Sequence, residues 1–537
     1  MSEPMGKMEA AGGLAVTTGV DVNAGVERLK AEGVPAKVAA KDATLWGPEA
    51  EEEASIRLGW VDTFVKSKEL VAPLAKLRAE LAEQGIDHVA LCGMGGSSLA
   101  PEVISRTLDL GISILDTTDP GQIVAELGEA SLLRTVVVVS SKSGSTVETD
   151  SQRRAFEAAF KGVGVEDSTG RFVFVTDPGS ELEKLANAQG SHLFLADATV
   201  GGRYSALTAF GLVPTALAGA DIAELIEQAE EFATTIGGDG DDPAVVLGAV
   251  IAAKPTITIA DDGTGIVGLG DWAEQLIAES LGKDGKGTLP VVLEGPAAAG
   301  ARGSDRVYAT VGGSSTGLPT GSALAMPDVV VNGPLGAQFL AWELATAYAG
   351  YLIGIDPFNQ PNVTESKNNT NRILKDGLPD ERPHAVDGAV EIYGSHADTV
   401  AGALGELLTN ADSEGAYIAV LAYLDRIDDA EVAKLRAGLA ERTGAPVTWG
   451  WGPRFLHSTG QFHKGGRQTG VFLQLTGAVG EDLLIPDREF TFAGLQAAQA
   501  AGDREALQSR ERPLVRLHLT DRKRGINQLV HALRELS

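Results

Sequence analysis

The chain has 537 residues and a formal net charge of −29 at pH 7, with 44% hydrophobic and 22% charged residues. This length is too great for one ordinary core, and the composition is typical of a folded globular protein with several lobes. The negative charge argues against general binding to nucleic acid or to an anionic membrane surface, so an anionic ligand needs a local positive site. The single cysteine, Cys92, excludes an internal disulfide and a cysteine zinc cluster, which fits a reducing compartment.

The sequence indicates neither a secretory signal nor a membrane span. The apolar run at residues 10–20 is diluted by glycine and threonine, and the longest apolar run, residues 339–355, contains Glu343. That run is also shorter than the ~20 residues that a spanning helix needs. We therefore expect a cytoplasmic protein, in which residues 1–69 form an N-terminal extension with loose ends.

From residue 70 onward, short β-rich runs alternate with helical patterns, which indicates parallel sheets covered by helices. The predicted strands of a first lobe are residues 89–92, 113–115, 135–139 and 172–175. Those of a second lobe are residues 256–259, 289–293, 306–310 and 328–331, with helices at 271–281 and 335–353. A Gly/Asp-rich stretch at residues 236–243 marks the boundary between the two lobes.

A third, smaller portion follows the polar stretch at residues 379–387, with a predicted strand at 416–421 and a helix near 430–442. The predicted fold class is therefore α/β, with two doubly wound lobes that contain parallel sheets and a smaller C-terminal α/β portion. The predicted domains are residues 70–236, 244–378 and 388–537, after the N-terminal extension.

The first candidate site is the Gly-rich turn at residues 93–98, GMGGSS, directly after the first predicted strand. Glycines let backbone amides approach an anion, and a following helix adds the positive end of its dipole. Ser98 stands where a dinucleotide-binding fingerprint needs glycine, so a Rossmann site is disfavoured. The turn alone leaves open whether Gly95, Gly96 and Ser97 bind a phosphate or form a tight strand-to-helix connection.

The second candidate site is the loop at residues 140–146, SSKSGST, which follows another predicted strand. Ligands of open α/β sheets bind at the carboxyl ends of strands, and hydroxyl groups can hold phosphate oxygens without a basic cluster. The alternative is a solvated Ser-rich turn. We predict that the phosphate is bound by Ser141, Lys142, Ser143, Ser145 and Thr146.

These motifs resemble those of the glucose-6-phosphate isomerase family, within the wider group of sugar-isomerase (SIS) domains. GMGGSSLAP at residues 93–101 looks like the first signature of the family, and SKSGSTVET at 141–149 looks like its phosphate loop. Similar segments follow at residues 200–205 (VGGRYS), 279–283 (ESLGK), 357–360 (PFNQ, with Lys367 seven residues later) and 457–461 (HSTGQ). Leu281 stands where the family has Asn. The resemblance covers residues 85 to 510 and implies that the two main lobes are of the SIS type.

The resemblance implies an aldose-ketose isomerase that interconverts glucose 6-phosphate and fructose 6-phosphate in glycolysis and gluconeogenesis. It assigns Glu279 as the base that moves a proton between C2 and C1, and Arg203 as the charge that stabilises the enediolate. Glu279 follows Trp272 by seven residues and Leu276 by three on a predicted helix, so it shares their buried face. Burial raises the pKa of a carboxylate, as a general base requires. Without the resemblance, an exposed glutamate and a surface ion-pair arginine remain the alternatives.

The resemblance also implies that His457, oriented by Glu148 and assisted by Lys367, opens the sugar ring. Gln360 is expected to contact the phosphate or to stabilise the loop around it. His457 and His463 lack the spacing of a metal site, so we predict neither a metal nor a cofactor.

The order of the motifs departs from that of the family. The family's histidine segment precedes its PFDQ and lysine segment, whereas His457 follows Lys367 here. Residues 485–507 look like the stretch that ordinarily follows the histidine. We hypothesise that the fold reunites Glu279, His457, Lys367 and Arg203 around one cavity, and a separation of more than ~10 Å between His457 and Glu279 would contradict this.

Two alternatives remain open at this stage. The enzyme could also accept mannose 6-phosphate, or the chain could be a non-catalytic SIS module that senses a sugar phosphate, although no basic DNA-binding segment is visible. The expected partner is a small sugar phosphate, with no nucleic acid and no membrane. The resemblance also allows a homodimer and a functional link to transaldolase, to which relatives of this build are sometimes fused.

Overall fold

The computed structural model describes residues 8–237, 242–314 and 326–536, and these residues form three sheets flanked by helices. Half of the predicted lobe boundary, residues 238–241, lies outside the described residues.

The N-terminal segment is part of the second lobe. β1 (Met8–Ala11) and β2 (Leu14–Thr18) form an antiparallel hairpin, and β2 pairs antiparallel with the strand Val329–Asn332 of that lobe. The buried side chains of Leu14 and Val16 cover a sheet edge that would otherwise expose unpaired backbone groups. This differs from the expected loose extension, because a strand this short carries too little periodicity to be recognised. Helices follow the hairpin: α1 (Asn23–Ala31), α2 (Val34–Ala39), α3 (Glu51–Ser55) and α4 (Thr63–Ser67).

The first lobe contains a five-stranded, wholly parallel sheet in the order β4-β3-β5-β6-β7. Its strands are β3 (His88–Gly93), β4 (Ile112–Leu115), β5 (Thr135–Ser140), β6 (Phe172–Thr176) and β7 (His192–Leu195). Its helices are α5 (Val71–Glu83), α6 (Leu99–Thr107), α7 (Pro120–Glu126), α8 (Glu129–Leu132), α9 (Val147–Gly162), α10 (Glu181–Gln189) and α11 (Ala209–Ala218). The strand order reverses between β3 and β5, and a crevice at such a point is the usual ligand site of an open α/β sheet.

The second lobe is built on a six-stranded sheet in the order β1-β2-β11-β10-β8-β9. Its remaining strands are β8 (Thr256–Asp261), β9 (Leu289–Val292), β10 (Arg306–Gly312) and β11 (Val329–Asn332), which are parallel to one another. Its helices are α12 (Ile222–Ala233), α13 (Pro243–Ala253), α14 (Leu269–Leu281) and α15 (Leu335–Ile353). The amide of Gly336 on α15 donates to Gln228 on α12, so this lobe already includes residues before the predicted boundary.

The third portion contains a six-stranded sheet in the order β12-β13-β17-β16-β14-β15. The strands β12 (Ala385–Asp387), β13 (Val390–Tyr393), β14 (Tyr417–Tyr423), β15 (Val447–Trp451), β16 (Gly470–Gly477) and β17 (Leu514–Leu519) form it, with β12 and β13 antiparallel to their neighbours. The helices are α16 (Val363–Asp376), which leads into this portion, α17 (Val400–Asn410), α18 (Lys434–Thr443), α19 (Gly460–Gly465), α20 (Phe492–Gln508) and α21 (Arg522–Glu535). The predicted α/β class is confirmed.

Burial on both faces explains why the central strands could be predicted. Every residue of β5 and nearly every residue of β3 is buried, as expected for parallel strands with helices on both sides. The apolar helix α15 packs inside the second lobe, where residues on all its sides are buried. No helix in the described ranges combines the length and apolar character that a membrane crossing requires.

Candidate active site

The Gly-rich turn after β3 is packed tightly against other backbone. Residues Gly95–Ser97 form a 3-10 turn, in which the amides of Ser97 and Ser98 already donate to Met94 and Gly95. A Cβ on Gly95 would lie 2.7 Å from the carbonyl oxygen of His457, and one on Gly96 would lie 1.9 Å from that of Gly202. The glycines are therefore required for close approach of three chain segments.

A cavity of about 410 Å³ opens beside this turn, between the first lobe and the helices α16 and α20. Its lining is mainly polar and includes Ser143, Ser145, Thr146, Glu148, Lys367, His457, Lys464 and Gln499. Of the predicted binding residues, Gly95, Gly96, Ser97, Ser141, Lys142 and Gln360 are not among the described residues that line it. Side chains of the second predicted loop thus line the cavity. The first predicted loop does not line it and packs behind it.

The loop after β5 leads directly into the N-terminus of α9. Thr146 is the residue before the helix, and its hydroxyl lies 2.9 Å from that of Ser141. The hydroxyls of Ser143 and Ser145 lie 2.9 Å apart at the mouth of the cavity. These hydroxyls and the amide end of a sixteen-residue helix are the kind of groups that bind an anion, and we refer to them as the anion site.

Lys142 does not reach into this anion site. Its ammonium group forms a 2.5 Å ion pair with Asp177 and also contacts the carbonyl of Ala198. Gln360 is exposed on the segment between α15 and α16. The predicted phosphate contacts of these two residues therefore find no support in the geometry, because the sequence motif does not reveal which way each side chain turns.

His457 forms a pair with Glu148 at one end of the cavity. His457 Nε2 lies 3.1 Å from Glu148 Oε1, and Gln499 Nε2 donates to the same oxygen at 2.6 Å. Thr118 Oγ1 in turn donates to Gln499 Oε1 at 2.8 Å. Burial acts to raise the pKa of Glu148, but the charge and hydrogen bond of His457, with the charge of Lys367, bring it below its ordinary value. Glu148 is therefore an ionised, oriented partner for the imidazole.

Two lysines lie on the opposite wall of the cavity. Lys367 projects from the exposed face of α16 and is close enough to Glu148 to lower its pKa. Lys464, on α19, is buried and forms a 2.7 Å ion pair with Asp503 of α20. Asp503 neutralises Lys464, so the positive charge at this cavity comes from Lys367, which has no ion-pair partner among the described residues and attracts an anionic ligand.

Glu279 lies near the end of α14 and is more deeply buried than the helix pattern predicted, with only 5% of its surface exposed. Arg203 Nη1 donates to Glu279 Oε2 at 3.3 Å, and Gln275 Nε2 donates to Oε1 at 3.3 Å. Burial raises the pKa of Glu279 above its ordinary value, and Arg203 only partly opposes this. A carboxylate with a raised pKa is a stronger base, which suits proton abstraction near neutral pH.

Arg203 uses four of its five N–H donors in hydrogen bonds to the described residues. Besides Glu279, it donates through Nε to Ser280 Oγ at 2.9 Å and through Nη2 to the carbonyls of Pro357 and Asn359 at 2.8 and 3.1 Å. It therefore ties the catalytic helix to the loop that leads into α16 and Lys367. Its charge remains beside Glu279, where it can act on a nearby oxyanion through space.

The side chain of Gln275 connects Glu279 with His457. Its amide nitrogen donates to the carbonyl of His457 at 2.8 Å and also to Glu279 Oε1. One amide group bridges the two residues, so the altered motif order still delivers His457 to Glu279. The geometry agrees with the hypothesis for Glu279, Arg203 and the His457 segment. Lys367 lines the cavity with His457, whereas Glu279 and Arg203 are not among the described residues that line it, so the meeting of all four around one cavity stays a prediction.

Three residues of the site were not found from the sequence, namely Gln275, Lys464 and Gln499. Gln275 lies one helical turn before Glu279, and Lys464 lies in the segment that follows His457, so each had a positional signal. Gln499 lies in the stretch that resembles the family region after the histidine, but nothing in that pattern singled it out. Among the described residues, no group of three or more His, Cys, Asp or Glu side chains is arranged to hold a metal ion.

The two-loop crevice, the buried glutamate and the histidine pair define an α/β protein of the sugar-isomerase class. The sequence model described as phosphoglucose isomerase matches residues 77–234, which include both loops and Arg203. A glucose-6-phosphate isomerase of Gloeothece citriformis is 27% identical over 395 residues, which are 62% of this chain and 74% of that protein. A probable glucose-6-phosphate isomerase of Haloarcula marismortui is 34% identical over 213 residues, 38% of this chain and about half (49%) of its own length.

Among solved structures, a glucose-6-phosphate isomerase from Chlamydia trachomatis superposes with a TM-score of 0.52 at 19% identity, covering 68% of this chain and 89% of that one. At this identity the likeness shows the fold alone. The sequence matches add a similarity to glucose-6-phosphate isomerases that extends over more than half of this chain. The resemblance inferred from the six motifs is thereby confirmed.

Proposed function

We propose that this protein interconverts glucose 6-phosphate and fructose 6-phosphate through an enediolate intermediate. The observation that carries the proposal is the position of Glu279, a buried carboxylate held by Arg203 and joined through Gln275 to the His457 segment. The hydroxyl-lined cavity next to His457 then accounts for the phosphate of the substrate.

The phosphate binds at the start of α9. Hydroxyls of Ser143, Ser145 and Thr146 line that end of the cavity, and the helix dipole favours a negative charge there. Lys367, which also lines the cavity, supplies positive charge. Hydrogen bonds to charged groups contribute about 1.5–3 kcal/mol each, so a few such contacts suffice for micromolar binding.

Ring opening falls to His457, supported by Glu148 and Lys367. His457 delivers a proton to the ring oxygen as the bond between that oxygen and C1 breaks. The C1 hydroxyl then gives its proton to the neutral imidazole of His457, so an aldehyde forms and the imidazolium is regenerated. Ionised Glu148, 3.1 Å from His457 Nε2, stabilises the imidazolium form on which this exchange depends.

Glu279 then moves the proton between the two carbons. Its carboxylate removes the proton from C2, a double bond forms between C1 and C2, and the oxygen at C1 takes up the negative charge near Arg203. The same carboxyl returns the proton to C1 while the carbonyl forms at C2, and the C2 hydroxyl proton passes to the oxygen at C1. The buried setting strengthens the attraction between Arg203 and the oxyanion.

The test is the Glu279→Gln variant, which keeps the shape and one hydrogen-bond acceptor but cannot take up a proton. We expect kcat to fall by about 10³-fold, within the range for loss of a general base, while a sugar-phosphate analogue binds within about threefold of wild type. Retained turnover would contradict the proposal. Wild-type protein that binds glucose 6-phosphate without turnover would instead support a sensing module.

The same assay separates the remaining substrate alternative. Glucose 6-phosphate, fructose 6-phosphate and mannose 6-phosphate are offered in turn, and formation of fructose 6-phosphate from mannose 6-phosphate would extend the activity to both configurations at C2. We also infer a cytoplasmic location, which the buried free thiol of Cys92 supports. A homodimer and a functional link to transaldolase stay predictions.

A further inference from the structure

A second cavity, of about 270 Å³, lies where the three lobes meet, and no step of the proposed reaction uses it. The first lobe contributes α6, the second contributes α14 and residues 292–294, and the third contributes residues 449–455. We name it the junction cavity, and its chemically important residues are Glu102, Glu274, Arg436, Trp449, Trp451 and Arg454. Ser458, next to His457, lies at its inner end, so the junction cavity and the catalytic cavity are separate spaces on two sides of one segment.

The positive charges around the junction cavity are already neutralised. Each of its four arginines has a carboxylate partner: Arg106 with Asp271 at 3.6 Å, Arg426 with Glu102 at 2.8 Å, Arg454 with Asp116 at 2.9 Å, and Arg436 with Glu294. The arginines beside Glu102 outweigh the effect of its burial and hold its pKa at about 2, so this acid is ionised. An anionic ligand would therefore meet no unpaired cation here, in contrast to the catalytic cavity.

Several buried polar groups of this cavity, however, lack partners. Only 8% of the surface of Glu274 is exposed, and within the described ranges its carboxyl forms neither a hydrogen bond nor an ion pair. Arg436 Nη1 and Trp449 Nε1 are also buried donors without an acceptor in the part of the chain that the structure describes. The two donors are closed off from the cavity, whereas Glu274 keeps some exposed surface there. An unsatisfied buried group costs about 1–3 kcal/mol, so a ligand that supplies the missing partner of Glu274 would bind favourably.

The protonation state of Glu274 fits the same kind of ligand. Burial, with the neighbouring charge of Asp271 as the second cause, raises the pKa of Glu274 well above its ordinary value. A neutral carboxyl both donates and accepts a hydrogen bond, which matches a hydroxyl group better than a charged one.

The outer wall of the cavity is aromatic. Trp449 and Trp451 have ring centroids 5.2 Å apart and stand nearly perpendicular to each other, at 74°. Indole rings provide apolar faces with one polar edge, and they pack against ligands that have apolar faces and a polar rim. The volume lies just below the ~300 Å³ at which sites for drug-sized ligands begin, so the occupant is one small ring.

We propose that the junction cavity binds an uncharged polyhydroxylated ring, such as a monosaccharide or a cyclic polyol. One face of the ring packs on Trp449 and Trp451, and its hydroxyls pair with the carboxyl of Glu274. The recognition differs from that of the catalytic cavity, which favours a phosphate group.

The test is calorimetric titration of the full chain with D-glucose, D-fructose and myo-inositol, in the presence of saturating fructose 6-phosphate to fill the catalytic cavity. We expect at least one of these probes to bind saturably at one site per chain. Inorganic phosphate serves as the charged probe and is expected not to bind at the junction cavity.

Four variants locate the binding. Trp449→Ala and Glu274→Leu are expected to weaken binding by about tenfold or more, as for a buried anchor residue, whereas Glu274→Gln stays within about threefold because an amide also donates and accepts. Trp449→Phe, which keeps a smaller aromatic face, serves if the alanine variant fails to fold, and an intermediate loss of about fivefold is expected. The His457→Ala variant of the catalytic cavity should bind the probes as wild type does.

Three results would overturn the proposal. They are the absence of saturable binding by all three probes, equal binding by Glu274→Leu and wild type, and displacement of the bound probe by inorganic phosphate. None of these results bears on the isomerase activity, because fructose 6-phosphate occupies a different cavity.

Discussion

The loops that follow β3 and β5 lie side by side at the carboxyl ends of two neighbouring strands of the first sheet, yet they contribute to the site in different ways. Residues 93–98 meet the rest of the site through backbone, with Gly95 against His457 and Gly96 against Gly202. Residues 141–146 present hydroxyl groups to the cavity. We call residues 93–98 the supporting loop and residues 141–146 the binding loop, because in the proposed function only the second contacts the ligand through its side chains.

The largest effect is expected from Gly96→Ala in the supporting loop. The new Cβ would lie 1.9 Å from the carbonyl oxygen of Gly202, and backbone on both sides leaves no flexible side chain to move aside. We expect a loss of about 3 kcal/mol in the free energy of unfolding and a fall of about 100-fold in kcat/KM. Chemical denaturation and steady-state assays measure the two quantities.

The matched control is a substitution at Gly202, the other residue of this contact. A Cβ on Gly202 meets no atom within 4 Å, so Gly202→Ala should keep stability within about 1 kcal/mol of wild type. Equal damage from both substitutions would mean that glycine is needed here for some reason other than the close approach.

A smaller effect, mainly on KM, is expected in the binding loop. Thr146→Val keeps the shape of the side chain but removes the hydroxyl at the start of α9. Loss of one hydrogen bond to the phosphate should raise KM for the sugar phosphate about tenfold and leave kcat within about twofold.

Two substitutions sharpen the comparison with this result. Ser98→Ala, in the supporting loop, removes only a hydroxyl bonded to the carbonyl of Gly95 and should cost about 1 kcal/mol of stability without changing KM. Lys142→Met should change KM by less than about threefold, because that ammonium is paired with Asp177. A tenfold rise in KM for either variant would show that the assignment of the two loops is incorrect.

The smallest change concerns Gln499, which supports Glu148 from the third portion. Gln499→Leu removes the 2.6 Å hydrogen bond to the Glu148 carboxylate, so the pKa of Glu148 should rise. Since the folded state holds this pKa below its ordinary value, ionised Glu148 persists to low pH in wild type and is lost at higher pH in the variant. The acidic limb of the kcat profile should move to higher pH, and kcat at neutral pH should fall about fivefold.

The control for this pH shift lies on the same helix. Gln496 contacts Asp119 instead of Glu148, so Gln496→Leu should leave the acidic limb where it is in wild type. A purely structural role for Gln499 would lower stability or kcat in both variants without moving the pH profile.

Much of the fold could be predicted from the sequence because its central strands are buried on both faces. The predicted strand at residues 89–92 is one residue shorter than β3 at each end, and that at 135–139 is one residue shorter than β5 at its end. The predicted helix at 335–353 matches α15. The N-terminal hairpin could not be predicted, since its partner is the strand Val329–Asn332, far along the chain. Strand pairings of this kind depend on tertiary contacts that local patterns do not encode.

The site shows the same division between local motifs and long-range contacts. Motif spacing placed Glu148, Glu279 and His457 correctly in one region, whereas the burial of Glu279 and the bridging amide of Gln275 required the packed structure. Lys142 was misjudged because Asp177, its partner, follows a different strand. A sequence motif identifies the candidate residues, but the partners that orient their side chains lie elsewhere in the fold.

The central claim is that Glu279 carries a proton between C2 and C1. Its most direct test is NMR detection of deuterium after incubation of glucose 6-phosphate with the protein in D₂O. The mechanism predicts deuterium at C1 of fructose 6-phosphate and at C2 of recovered glucose 6-phosphate with wild type, and none with Glu279→Gln, because a proton on a carboxyl exchanges with solvent. Isomerisation without any solvent deuterium in either sugar, or unchanged incorporation by Glu279→Gln, would contradict the role of Glu279.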